Sequence, residues 1–195
     1  NCNKKKIWCD GSLDIVIDKI KDLFDESLCI KSPLVLDLDG DGVETTALNN
    51  SKIYFDHDNN GYAEKTGWAG KDDGFLVIDK NNNNSIDNGL EMFGNNTSSS
   101  AANGFIALKD YDSNNDGIIN FFDKDFEKLK IWHDKNQNGI TDKGELTSLY
   151  KAGIKSISTG YNSSNITDSN GNIHKETGVF TLSHPLISAR RGAAS

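Results

Sequence analysis

Apolar residues along this chain come in short bursts separated by long polar stretches. The first burst has helical spacing. Leu13, Val16, Ile17, Ile20, Phe24 and Leu28 fall on one stripe, Ser12 stands where a cap belongs and Asp14 suits the positive end, predicting an amphipathic helix over 12–29. Pro33 then breaks the chain, and Leu34-Val35-Leu36 predicts a buried strand. Ile53-Tyr54-Phe55 and Phe75-Leu76-Val77-Ile78 are two further strand candidates. The polar, low-complexity stretch 94–104 predicts a mobile loop. Helical patterns follow over 104–111, with Phe105, Leu108 and Tyr111, and over about 121–132, with Phe122, Phe126, Leu129 and Trp132. The last third alternates more, with Ile154 and Ile157, and a hairpin is expected across Ile173–Leu182. The mixture predicts an α+β fold of short strands and helices.

Composition then narrows the function. The 195 residues suit one domain with small appendages: a flanking segment 1–31, a module over 32–185 and a C-terminal tail 186–195. With Asn1 at its start and no signal peptide, the chain reads as a piece of something larger. Lys and Arg number 21 against 29 Asp and Glu, a net charge of -8, so a nucleic-acid partner is not expected. No apolar run approaches the length of a membrane span. Cys2, Cys9 and Cys29 allow at most one internal disulfide, with Cys2–Cys9 the candidate, and the absence of CxxC and the scarcity of His argue against zinc.

The acidic residues are 22 Asp and only 7 Glu, beside 23 Asn and 18 Gly. Short carboxylates, amides and glycines serve tight turns and hard-cation loops alike; position separates the two. A twelve-residue calcium loop of the EF-hand type places oxygens at positions 1, 3, 5, 7 (backbone), 9 and 12, with Gly at 6. Asp134, Asn136, Asn138, Gly139, Ile140, Asp142 and Glu145 fill every slot. Asp112, Asn114, Asp116, Gly117, Ile118 and Asn120 do nearly as well, ending on the shorter Asp123.

Three earlier loops are looser. Asp37, Asp39, Asp41 and Gly42 keep the 1-3-5-6 pattern, but position 12 is Leu48, so Glu44 or a distant group must complete the shell. Asp56, Asp58, Asn60 and Gly61 are followed by Glu64 at position 9, with Gly67 at 12 and Asp72/Asp73 nearby. Asp79, Asn81 and Asn83 have Asn84 in the glycine slot, Asp87 at position 9 and Glu91 one residue late. The five windows hold 12 of the 22 Asp, a concentration that turns alone do not require. Calcium is therefore expected at two sites and at up to five, and it suits flexible oxygen-rich loops better than magnesium does. His57 and His133, beside loop acids, read as solvated loop residues. No Ser-His-Asp spacing, phosphate loop or HExxH occurs.

The run Ser32-Pro33-Leu34-Val35-Leu36-Asp37-Leu38-Asp39-Gly40-Asp41-Gly42-Val43-Glu44-Thr45 resembles a known family. So do Thr66-Gly67-Trp68 with Asp72-Asp73-Gly74, and Ile86-Asp87-Asn88-Gly89-Leu90-Glu91-Met92-Phe93-Gly94. Together they are similar to the calcium-dependent self-processing module of FrpC-like repeats-in-toxin (RTX) proteins, over roughly 32–182. The resemblance implies a secreted or surface protein of a Gram-negative bacterium, exported by type I secretion and associated with virulence. It also implies that calcium folds the module and that an Asp-Pro bond at its start is cut. There the Asp carboxylate attacks its own backbone carbonyl, and a lysine amine captures the anhydride as an isopeptide. Here Ser32 precedes Pro33. A serine has no β-carboxylate, so self-cleavage at Ser32-Pro33 is expected to be lost. The alternatives are a still-active autoprotease or cross-linker, and a dockerin-like calcium-dependent interaction module, for which the spacing of Asp112 and Asp134 is suggestive.

Overall fold

Strands buried on both faces need apolar side chains at successive positions, and the two most continuous apolar runs form the middle of the sheet. In the computed structural model these are β1 (Leu34–Leu36) and β6 (Gly74–Ile78), every residue of which is buried. The structure describes residues 32–98, 100–183 and 190–194, the last group by backbone alone. The helix expected over 12–29 and the three cysteines lie outside the described residues.

Between β1 and β6 come β2 (Thr45–Thr46), β3 (Tyr54–Phe55), β4 (Glu64–Lys65) and β5 (Trp68–Ala69). After β6 the chain forms α1 (Gly104–Lys109), β7 (Ile118–Asn120), a 3₁₀ turn (Phe126–Lys128), β8 (Leu129–Trp132) and β9 (Leu146–Ser148). It continues as β10 (Ile154–Thr167), β11 (Ile173–Leu182) and β12 (Arg190–Ala194). Eight strands make one antiparallel sheet in the order β7-β10-β11-β12-β1-β6-β8-β9, and β2-β5 and β3-β4 are two small ribbons. Residues expected to be a tail thus include a strand, β12, that pairs with both β1 and β11.

Alternation along the central strands supplies two cores. Leu34, Leu36, Leu76, Ile78, Leu129 and Ile131 face one side, where Phe105 and Leu108 of α1, Phe126, Ile119, Ile157 and Phe180 join them. Val35, Phe75, Val77 and Trp132 face the other, against Ile53, Phe55, Trp68, Ile86 and Met92. Each such fully buried side chain contributes about 1.5–3 kcal/mol.

The expected α+β fold built on helix-flanked loops is corrected by this arrangement. Among the described residues α1 is the α-helix, 6 residues long, with Asn103 Oδ1 capping Ile106 N–H. The expected helix 121–132 is instead a turn, the 3₁₀ turn and strand β8. Its apolar spacing is deceptive. Phe122 stands 70% exposed, and Leu129 and Trp132 enter opposite cores. Pairing of β8 between β6 and β9 satisfies a backbone that a helix would have satisfied internally, and tertiary context overrides propensity. The expected hairpin across Ile173–Leu182 is one strand, β11, which forms a hairpin with β10 through a turn at 168–172 and pairs with β12 on its other edge. The 94–104 stretch is a packed turn at its start. Thr97 is buried, accepting Gly94 N–H at 2.6 Å, and Asn96 Nδ2 donates to His57 O at 2.7 Å.

Candidate metal centre

All five Asp-rich loops leave or enter strands, and all five bend in the same way. Positions 4 and 6 have positive φ in each: Gly40/Gly42, Asn59/Gly61, Asn82/Asn84, Asn115/Gly117 and Gln137/Gly139. Asn84 does in the third loop what glycine does elsewhere, since Asn tolerates the left-handed region better than other side chains.

In four loops the position-1 aspartate accepts the backbone N–H groups of positions 5 and 6. Asp56 takes those of Asn60 (3.1 Å) and Gly61 (2.9 Å), and Asp79 those of Asn83 (3.1 Å) and Asn84 (2.9 Å). Asp112 takes those of Asp116 (3.1 Å) and Gly117 (2.8 Å), and Asp134 those of Asn138 (3.2 Å) and Gly139 (2.8 Å). The position-5 side chains of Asn60, Asn83, Asp116 and Asn138 accept the position-7 N–H, at 2.7–2.9 Å for Tyr62, Ser85, Ile118 and Ile140. At positions 3 and 5, Asn81 and Asn83 both donate to Asp87 Oδ2 at 2.8 Å, and Asn136 and Asn138 do the same to Asp142.

The terminal acids show a shared device that the loop pattern alone did not reveal. Glu145 accepts the N–H of Lys135 at 3.1 Å and of Asp142 at 3.0 Å, positions 2 and 9 of its loop. Asp123 accepts Ser113 N–H at 2.8 Å and Asn120 N–H at 2.9 Å, again positions 2 and 9. Glu91, one residue late, reaches the same two places through Lys80 N–H (2.9 Å) and Asp87 N–H (2.8 Å). All three acids are buried. Loops three and five also touch: Ile86 N–H donates to Thr141 Oγ1 at 2.9 Å, joining their eighth residues.

Charge is concentrated accordingly. Asp37, Asp39 and Asp41 bring carboxylate oxygens within 4.8 Å of one another, and so do Asp56, Asp58 and Glu64. A hydrogen bond with Asp39 and some loss of hydration raise the exposed Asp41, and desolvation and Asp41 raise Glu44. Burial raises Asp134, with Glu145 adding to it, whereas the Asn136 and Asn138 amides lower Asp142. Asp73 is pushed up to about 8, by burial first and then by Glu44 and Asp37. This donor set fits a hard cation. It is carboxylates and amides, and an amide rotated half a turn presents oxygen in place of nitrogen.

The looser loops are completed differently than their spacing suggests. Asp73, expected near the second loop, belongs to the first, where its Oδ2 accepts Glu44 N–H at 2.7 Å. The histidines differ as well. His57 is buried against Phe55 and Trp68, 3.2 Å from Thr66 Oγ1, while His133 Nε2 meets Lys71 O. Beneath the fifth loop, Trp68 Nε1 donates to Asp134 Oδ2 at 2.8 Å and Trp132 Nε1 to Glu145 Oε2 at 3.5 Å. Sequence reasoning missed both tryptophans as loop supports. Trp68 stands out in the sequence only within the Thr66-Gly67-Trp68 run that carries the family resemblance, and Trp132 only as apolar periodicity.

A family model, the SPM domain, matches residues 34–186. The chain belongs to the SPM-domain family. Among curated proteins, "Iron-regulated protein FrpA" of Neisseria meningitidis serogroup C is 45% identical over 157 residues. That match takes in 78% of this chain and 14% of the relative's length. Among the described residues no helix is long and apolar enough to cross a membrane.

The SPM match begins directly after Pro33. At this junction Ser32 is buried, its N–H donates to Asn95 Oδ1 at 3.3 Å, and its hydroxyl has no hydrogen-bond partner. Leu34 N–H donates to Phe93 O at 2.6 Å, and a Cβ on Gly94 would lie 2.8 Å from Ser32 O. The first residues of the SPM module are thus pressed against 93–95, with no β-carboxylate at position 32.

Proposed function

We propose that this chain is a calcium-binding, calcium-folded module of a secreted RTX-type bacterial protein, and that it does not cleave itself at Ser32-Pro33. The observation that carries the reading is the loop geometry repeated five times, with three buried terminal acids each held by the same pair of backbone N–H groups. Bound calcium would neutralise carboxylates that otherwise repel one another, so its binding free energy would become folding free energy. The chain's own residues do the rest. Position-1 aspartates hold four of the loops closed, the left-handed pair turns the backbone in all five, and terminal acids tie together the two ends of three.

Membership of the SPM family and the FrpA relative support the wider setting: a segment of a longer protein, exported by a Gram-negative cell and placed outside it or on its surface. Loss of self-processing follows from chemistry. Intramolecular anhydride formation needs a side-chain carboxylate on the residue before proline, and Ser32 offers only a hydroxyl.

The test is circular dichroism and intact mass in chelator and in millimolar calcium. The expected result is a gain of β-structure on adding calcium with no change of mass. Identical spectra in the two buffers would overturn calcium-coupled folding. A new N-terminus at Pro33, or a mass gained through lysine capture, would restore the autoprocessing reading. Ser32→Asp should switch on calcium-dependent cleavage before Pro33.

A further inference from the structure

The first loop lacks what loops three, four and five possess, a local acid at its end. Leu48 occupies position 12 and is half exposed. Sheet register supplies a substitute. In the antiparallel pair of β1 and β6, Val35 faces Phe75 and Leu36 faces Gly74. Continued by one residue in each direction, the same register sets Asp37 opposite Asp73. Like charges directly across a ladder are unfavourable unless something compensates them. Asp73 is 1% exposed; its Oδ2 is held by Glu44 N–H at 2.7 Å, and its Oδ1 has no hydrogen-bond partner.

We propose that Asp73 completes the first loop's cation site, supplying with its Oδ1 an oxygen from outside residues 37–48. This rests on the calcium-binding reading above and names a ligand for it. A buried carboxylate oxygen without a donor is costly, and a cation held with Asp37, Asp39 and Asp41 removes that cost. The arrangement parallels the complete loops. Their terminal acids are steadied by backbone N–H groups of the loop they close, and Asp73 is steadied by Glu44 N–H, position 8 of the first loop. Asp73 is also fixed from behind. Gly74 packs so tightly that a Cβ there would lie 2.3 Å from Ile131 Cγ2, and Gly70 N–H donates to Glu44 O at 2.7 Å. The site is built from two separate pieces of chain that β1 and β6 bring together.

Native mass spectrometry of the 195-residue chain with calcium chloride tests the proposal. Asp37→Asn and Asp73→Asn should each bind one calcium fewer than the wild type at a given free calcium, and the double variant no fewer than either single. Asn at 73 still accepts Glu44 N–H, so a purely structural aspartate would leave the count unchanged; an unchanged count overturns the proposal. A double variant that loses two ions overturns it as well, because the residues would then serve different sites. If Asp73→Asn does not fold, carboxyl-carbon NMR of the wild type replaces it. In the calcium-folded chain, exchanging calcium for lanthanum should shift the Asp73 and Asp37 Cγ resonances together; an Asp73 Cγ that stays still while that of Asp37 moves overturns the assignment. A wild type that binds no calcium would instead defeat the calcium-binding reading itself.

Discussion

The fifth loop and the first use the same bend for opposite kinds of site. The fifth is finished within its own twelve residues: Glu145 closes it, Asp142 gathers two amides, and Trp68 and Trp132 donate to its acids from the core. The first has three aspartates and two glycines in the same bend, but the acid proposed to close it, Asp73, stands just ahead of a distant strand, β6. One loop carries its register in its sequence; the other borrows it from a sheet. The difference shows how a short motif can be geometrically sound and chemically incomplete.

The largest effect should come from the aromatic floor under the fifth loop. Trp132→Ala removes a fully buried side chain from the second core together with its bond to Glu145. It should cost about 3–5 kcal/mol. Leu38→Ala, half-buried beside the first loop, should cost roughly 1–2 kcal/mol by the same scaling. Urea unfolding in saturating calcium measures both, and equal losses would dissolve the contrast between the loops.

Acidity sharpens the comparison next. The Asp73 carboxyl stands at about 8 in the folded chain against an ordinary 3.8, so the folded state holds a proton that the unfolded state has given up. Stability from this group is present at low pH and is lost as pH rises from about 4 through about 8, at no more than about 1.4 kcal/mol per pH unit. In chelator, lowering the pH from 8.5 to 5.5 should therefore favour the fold, as followed by circular dichroism. Asp73→Asn should flatten that response. A response that survives the substitution would place its origin elsewhere.

The smallest effect lies in the bend itself. Asn84→Gly, at φ 62°, should raise stability by up to about 1 kcal/mol. Gly117→Ala, at φ 82°, should lower it by about 1–2 kcal/mol. Calorimetry that finds no opposition of sign would show that the left-handed pair is not under the constraint argued above.

Legibility followed chain distance. Strands at Leu34–Leu36 and within 75–78 were readable because a strand buried on both faces is apolar at every position. The spacing of the loops was readable because a left-handed turn at position 6 demands Gly or Asn locally. The stretch 121–132 misled because Phe122, Phe126, Leu129 and Trp132 fit a helical stripe by count. Only the neighbours β6 and β9 show that Leu129 and Trp132 must point to opposite faces. His57 looked solvated beside loop acids, yet its near neighbour Phe55 and the more distant Trp68 enclose it.

The sequence by itself determined where the five loops bend and which short oxygens they carry, since both depend on residues within a few positions of each other. It also determined that position 32 is a serine, with no side-chain carboxylate. Tertiary structure alone decided that the fold is a β-sheet, that β12 pairs with both β1 and β11, and that Asp73 meets Glu44 of the first loop. The physical reason is that backbone pairing between strands is set by register, and register is a property of two segments at once.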